Sequence, residues 1–518
     1  AKTFGINALD ETSGYQRYNG NFSEQNYDLL LNFKHNFGEN VSLTGVAGGT
    51  IRNTYFNQIT ASTQGGLIIP GIYSLANSKA ASPYPYERET KTSVNSYYAS
   101  ASLGYLDSYF IDATARRDAF SNLPADDNTL TSYSVSGSWV FSNNINASWL
   151  SFGKLRGGYS ESPLGTPALA LVDTYTKYDP FNNNQMYSVN SIKNNPDLKP
   201  IKTNTTEIGI EMQFLKRRVG FDVSLYKNIN DGEAVRVPYS TATGYTSKYV
   251  NAAKIENKGI EVQFNATPVK TTNFSWDINV NWSKNENMVT ALADGVSNLQ
   301  ISSFPGTVTL NAVVGQPFGV LKGTDYTYTA DGQRVINPAT GRYVINTSTN
   351  NIIGNINPDW IGGIRNKFTY KSLSFSFLID TKHGGDIFST DQWYGVGTGL
   401  TDETAGNNDL GLPKRNSLVN GGGVILEGVY ADGTPNTTRT AYSTGGAITN
   451  AYTNGPRSQY VYDAGFIKLR EVNITYSLPS SLVQKMKLVD AKISLIGSNL
   501  WIIQKNLPDA DPESGLGS

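Results

Sequence analysis

Three carboxylates, Glu207, Glu211 and Glu261, and a charge cluster at Arg116, Arg117 and Asp118 are the residues best suited to chemistry in this sequence. Carboxylate pairs act as general acid and base when a positioned histidine or a metal cluster accompanies them. The chain has only His35 and His383, and no cysteine. That excludes a disulfide framework and a thiolate metal site, and nearly excludes a histidine-rich centre. The spacing points elsewhere. Glu207, Glu211 and Gln213 alternate with Ile208, Met212 and Phe214, and Glu261, Gln263 and Asn265 alternate with Ile260, Val262 and Phe264. In a strand such alternation puts the acids on one wet face. No catalytic residue, metal or cofactor is expected. The three glutamates are candidates to line a watery lumen, and the Arg116–Asp118 cluster reads as ion pairing within a wall.

The elements that would position these acids share one period. Phe274, Trp276, Ile278, Val280 and Trp282 fall on one face, opposite Ser275, Asp277, Asn279, Asn281 and Ser283. The pattern returns at Tyr27–Phe33, Tyr133–Phe141, Leu373–Ile379 and Ala491–Leu495. Short connections at Leu106–Ser108, Leu215–Arg218, Pro268–Thr272 and Tyr370–Ser372 alternate with long polar stretches near 57–92, 161–202, 231–253, 289–359 and 385–465. Structureless loops of that length count against a compact soluble domain. Outer-membrane barrels have this asymmetry, with short periplasmic turns and long extracellular loops. A propeller would show a repeat of about 40–50 residues, and none is visible.

Composition agrees with this reading. Only 16% of residues are charged, while Gly (50) and Tyr (31) are abundant, as expected for strands with one face in lipid and the other in water. No run of about 18 apolar residues suggests a membrane helix. A net charge of −1 gives no basic footprint for nucleic acid. The expected fold is therefore all-β: a large antiparallel transmembrane β-barrel with long extracellular loops.

Four stretches carry a family resemblance. They are the hairpin from Val94 to Pro124, which ends in an R-x-D-like turn at Arg116-Arg117-Asp118; Asn195-Pro196-Asp197-Leu198-Lys199-Pro200 followed by Glu207; Asn257-Lys258-Gly259-Ile260-Glu261; and Phe466-Ile467-Lys468-Leu469-Arg470 leading through Leu478-Pro479 to Gly497-Ser498-Asn499-Leu500. In this order they resemble the SusC/RagA-type TonB-dependent transporters of the Bacteroidetes outer membrane. The resemblance implies an intact barrel of about 22 strands, of which about fourteen are recognisable here. It also implies that residues 1–518 are a partial barrel, without the amino-terminal plug and without a last strand after Asp511-Pro512-Glu513. The start, Ala1-Lys2-Thr3-Phe4, shows no signal peptide, and the end at Ser514–Ser518 is abrupt, so the chain reads as a portion of something longer.

The function implied by the resemblance is TonB-dependent import of a bulky nutrient, a glycan oligomer or an oligopeptide. The implied partners are a SusD-like surface lipoprotein, the TonB complex acting through the plug, and outer-membrane lipid. The alternatives are a surface or structural barrel subunit of an envelope assembly, an adhesin, or a secreted glycan-binding β protein. Pro196 and Pro200 fix φ and read as architecture, and Gly259 reads as close packing or a bulge at a strand start. Trp139, Trp276, Trp282 and Trp501 suit lipid contact or an interfacial girdle. Asp391, Trp393 and Tyr394, in a polar stretch expected to be a loop, are candidates for contact with substrate or partner. Anchoring of that loop is the simpler alternative. Ala330-Asp331-Gly332-Gln333 and Ala431-Asp432-Gly433-Thr434 are turn signals without the spaced oxygens of an EF-hand loop.

Overall fold

Period-two patterning becomes strand along most of the chain. The computed structural model describes residues 2–3, 13–167, 170–444, 447–449, 451 and 454–514; Ala1, Phe4 and residues 515–518 lie outside the described residues. Fourteen long strands are hydrogen-bonded in chain order, an up-and-down antiparallel meander. They are β1 (Gly14–Phe37), β2 (Val41–Ser62), β3 (Tyr86–Tyr105), β4 (Tyr109–Phe120), β5 (Thr129–Trp139), β6 (Leu150–Leu164) and β7 (Ile201–Phe214). Then come β8 (Val219–Pro238), β9 (Ser247–Lys270), β10 (Phe274–Ala291), β11 (Trp360–Tyr370), β12 (Leu373–His383), β13 (Phe466–Ser477) and β14 (Lys492–Lys505). No described helix is long and apolar enough to cross a membrane.

The strands overrun the polar stretches expected from sequence. β1, β2 and β3 have 24, 22 and 20 residues, whereas about 9–11 cross a bilayer. Residues 57–62 and 86–92, expected in a loop, are strand. Apart from Ile59 and Ala61, and the ring of Tyr86, they are polar on both faces, too little for an apolar period to mark them. The short turns hold where expected, with one shift. β9 runs through Pro268 to Lys270, and a register break between Ala266 and Val269 absorbs the proline. At Leu106 and Asp107 successive positive φ values (52° and 48°) give a tight hairpin turn whose twist matches the flanking strands.

The chain divides into two compact units. The first comprises Ala1–Ser138, Gly158–Asn204 and Asn230–Ala252. Within it Asp118 is buried. It accepts Arg116 Nε at 2.8 Å and Ser96 Oγ at 2.5 Å, so the wall cluster satisfies itself. Pro196 and Pro200 bracket Leu198, which is fully buried. Asn251 clips this segment down: its side chain accepts Lys199 N–H (2.7 Å) and donates to the Lys199 and Gly232 carbonyls (2.8 and 2.7 Å). Asn251→Ala should cost about 1–3 kcal/mol, the penalty of leaving such groups unpaired. Faster hydrogen exchange confined to residues 195–200 and 232 checks this, and unchanged exchange there would refute it.

The second unit comprises Trp139–Gly157, Thr205–Ile229 and Ala253–Ser518. Register places Val262 against Trp282, Phe264 against Val280, and Val280 against Ile364, all on one face. Toward the short turns this face is aromatic: Trp276 stacks on Phe368 at 5.7 Å and Trp149 on Phe214 at 5.8 Å. Aromatic rings flank these turns in both units, as at an interfacial girdle (Tyr105, Tyr109, Trp139, Tyr370, Tyr476). Phe274 to Trp282 covers about 27 Å of strand at ~3.4 Å per residue, close to the ~25 Å apolar band of an outer-membrane barrel. Beyond Trp282 the face turns charged. Lys284 pairs with Glu286 (2.8 Å), and Lys258 and Lys227 both pair with Glu256 (2.5 and 2.9 Å).

Candidate functional site: a polar strand face and the loop module at its end

The opposite face of the second unit is polar and densely bonded. Arg156 on β6 makes a two-pronged pair with Asp222 on β8 (2.9 and 2.7 Å), a geometry that suits its planar fork. It also donates to Ser224 Oγ at 2.6 Å and lies 3.6 Å from Glu207. Gly209 makes room for the guanidinium, since a Cβ there would fall 2.7 Å from Arg156 Cζ. Arg156, Asp222, Glu261, Gln263, Asn281 and Asp380 line one recess of about 610 Å³. Glu207 and Glu261 therefore lie on this wall. Glu211 accepts Gln213 Nε2 at 3.0 Å.

Arg156 and Asp222, the centre of the recess, were not among the residues singled out from sequence. The alternation of Phe221, Val223 and Leu225 with Asp222, Ser224 and Tyr226 is the signal that could have found Asp222. Gly259 lies in the middle of β9 rather than at a strand start, in unbroken register with Asn285, so it makes no bulge and serves close packing instead. The Tyr226 ring crosses above it and donates to Asn285 Oδ1 at 3.0 Å. A Cβ on Gly259 would stand 2.3 Å from Tyr226 Cζ. Gly259→Ala should therefore cost about 1–3 kcal/mol through overpacking. Adding Tyr226→Ala should recover most of the loss in heat-resistant folded fraction. No recovery would mean that the glycine acts through its backbone alone.

The stretches 289–359 and 385–465, expected as loops, fold into a module with its own core. Asn298–Ser303, Thr309–Val313, Val320–Tyr326 and Ile345–Asn355 form a four-stranded sheet. Val308, Leu321, Phe388, Trp393, Val396 and Tyr460 pack into one cluster. β10 ties the module to the polar wall. Asn287 Oδ1 accepts Phe318 N–H (2.6 Å), and Asn287 Nδ2 donates to Asn357 Oδ1 (2.7 Å).

The region around Asp391, Trp393 and Tyr394 is helix rather than the expected loop: α1 spans Thr390–Thr398. Ser389 caps it by accepting Gln392 N–H at 3.2 Å, Gly399 ends it at φ 75°, and Asp391 lies in the first turn, where the helix dipole favours an acid. Trp393 is only 4% exposed, packed beside Phe388 with the Arg457 guanidinium 4.9 Å above its ring. It anchors the module and offers no free face to a ligand. Asp391 and Tyr394 remain exposed.

Both Asp-Gly sequences make turns, with Gly332 and Gly433 at φ 80° and 85°. Among the described residues no group of three or more His, Cys, Asp or Glu is placed to hold a metal. The arrangement can offer hydrogen bonds and fixed charges to a polar solute.

Comparison with known proteins places this geometry. Residues 2–351 match the family model described as TonB dependent receptor-like, beta-barrel. TonB-dependent receptor P26 of Formosa agariphila is 25% identical over 94% of this chain and 49% of its own length. TonB-dependent receptor SusC of Bacteroides thetaiotaomicron is 25% identical over 56% of this chain and 31% of its own. The solved structure of the RagAB peptide transporter has the same fold, with a TM-score of 0.75 at 18% identity over 99% of this chain and 56% of that one. The chain spans about half the length of the curated relatives that it matches along nearly its whole length. Proteins of this kind are receptors and transporters of the outer membrane, not enzymes. The chain belongs to the TonB-dependent receptor β-barrel family.

Proposed function

We propose that this chain forms part of the wall of an importer that takes a glycan oligomer or an oligopeptide across the outer membrane. The observation that carries the reading is the two-sided sheet of the second unit. One face is aromatic and aliphatic over a bilayer's depth, and the other bears Arg156, Asp222, Glu261, Asn281 and Asp380 around an open recess. A wall dry on one side and rich in hydrogen bonds on the other suits a wet passage through lipid. In the proposed protein a plug domain and a closing strand lie in the half of the relatives' length that this chain does not span. TonB pulls on that plug, and a SusD-like lipoprotein captures ligand at the mouth above the loop module. The SusC-like and RagAB-like comparisons support this partnership.

The test uses the full-length protein in its native host. Ligand that co-purifies is identified by mass spectrometry, and its uptake is compared in wild-type, TonB-deficient and transporter-deleted cells. Import should fall to background in both mutant strains, and affinity purification should recover the surface lipoprotein. Uptake that persists without TonB would refute active import.

A further inference from the structure

The loop module contains a second cavity, apart from the polar wall. It measures about 410 Å³ and is lined by Tyr326, Arg334, Tyr343, Glu403, Ser458 and Gln459, among others. We propose that it binds a small carboxylate-bearing group, such as a uronate unit of an acidic glycan or the end of a peptide. Two features carry the inference. First, Arg334 has no carboxylate partner among the described residues. Its guanidinium lies 4.4 Å from the Tyr326 ring centre and 5.9 Å from that of Tyr343. An exposed guanidinium placed beside two rings, with no acid to neutralise it, can donate two-pronged to a carboxylate.

Second, the walls are fixed before any ligand arrives. The Gly332 turn is closed by Gly332 N–H to Thr329 O (3.0 Å), and the Arg334 carbonyl accepts Val429 N–H (3.0 Å). Ser458 and Gln459 sit on the short helical turn Arg457–Tyr460, whose Tyr460 is part of the module core. Glu403 lines the same space and can accept from a ligand's hydroxyl or ammonium groups. The volume lies in the range of ordinary small-ligand pockets.

The inference rests on the import reading for what the ligand is for, but its test needs no transport. Full-length protein in detergent, without TonB, is titrated calorimetrically with digalacturonate, galactobiose, alanyl-alanine and alanyl-alanine amide. One of the two carboxylate probes should bind at least about tenfold more tightly than its neutral counterpart, and which one does so identifies the source as acidic sugar or peptide end. Arg334→Gln should abolish that difference, and Arg334→Lys should restore part of it. Neither carboxylate probe binding, equal binding of the neutral counterpart, or an Arg334→Gln variant that binds as wild type would each overturn the proposal. Failed uptake with intact binding would count against import alone.

Discussion

The double substitution Asp511→Asn with Glu513→Gln is expected to destabilise the second unit by about 3 kcal/mol, because it strands a buried cation. Lys468 on β13 is only 3% exposed and donates to Asp511 at 2.5 Å and Glu513 at 2.6 Å. Arg470 extends the cluster, bonding Glu513 at 2.8 Å and Asp380 on β12 at 2.9 Å. Neutral amides can still accept a hydrogen bond, but they cannot offset the charge of Lys468. The two acids keep partial contact with water, which holds the loss near the lower end of the range for buried pairs. Heat-resistant folded fraction measures it. Adding Lys468→Met to the double substitution should return most of the loss, and no rescue would show that the acids act elsewhere.

The same cluster sets a pH response. Hydrogen bonds from Arg470, and then from Lys468, hold the Glu513 carboxyl down at about 2 against an ordinary 4.5. A carboxylate depressed on folding contributes stability that is present above its unfolded value and lost as pH falls through its folded one. The contribution should be complete at neutral pH and decline between about 4.5 and 2. The double variant should lack this part of the acid sensitivity.

The second large effect concerns which face meets lipid. Val280→Arg puts a charge midway along the apolar face, opposite Phe264 and Ile364, and should cost about 2–4 kcal/mol in a bilayer. Asn281→Arg, one residue along, points to the recess beside Asp222 and Asp380 and should cost well under 1 kcal/mol, as a lumen substitution does. Reversible unfolding from lipid vesicles compares the two variants. Equal costs would remove the assignment of faces.

How much of this is legible in sequence depends on strand length. Phe274–Trp282 announces itself because five apolar side chains repeat at period two, and the pairing of β9 with β10 and of β11 with β12 follows from hairpins such as Tyr370–Leu373. The module was illegible because its strands have two to seven residues apart from Ile345–Asn355, too few for a period to stand out. α1 contains two glycines, Gly395 and Gly397, and its nine residues give little amphipathic signal. Trp393 therefore looked like an exposed ring in a polar loop, when it is the plug of a local core. On the wall, Glu207 and Glu261 could be read from alternation, but their link to Arg156 could not, because cross-strand partners are set by register. The Phe466–Arg470 and Asp511–Glu513 motifs were each visible, and only the fold shows that one holds the other.

The ring of Lys227, Glu256, Lys258, Lys284 and Glu286 just beyond Trp282 works as a waterline. Sinking the protein by one strand residue would carry ammonium and carboxylate groups into hydrocarbon, and raising it would lift tryptophan into water. Its draught in the membrane is therefore fixed to within a few ångströms. In a bilayer thicker than the bacterial outer membrane, the lipid around β8–β10 should thin to meet the ring, while the protein keeps its level.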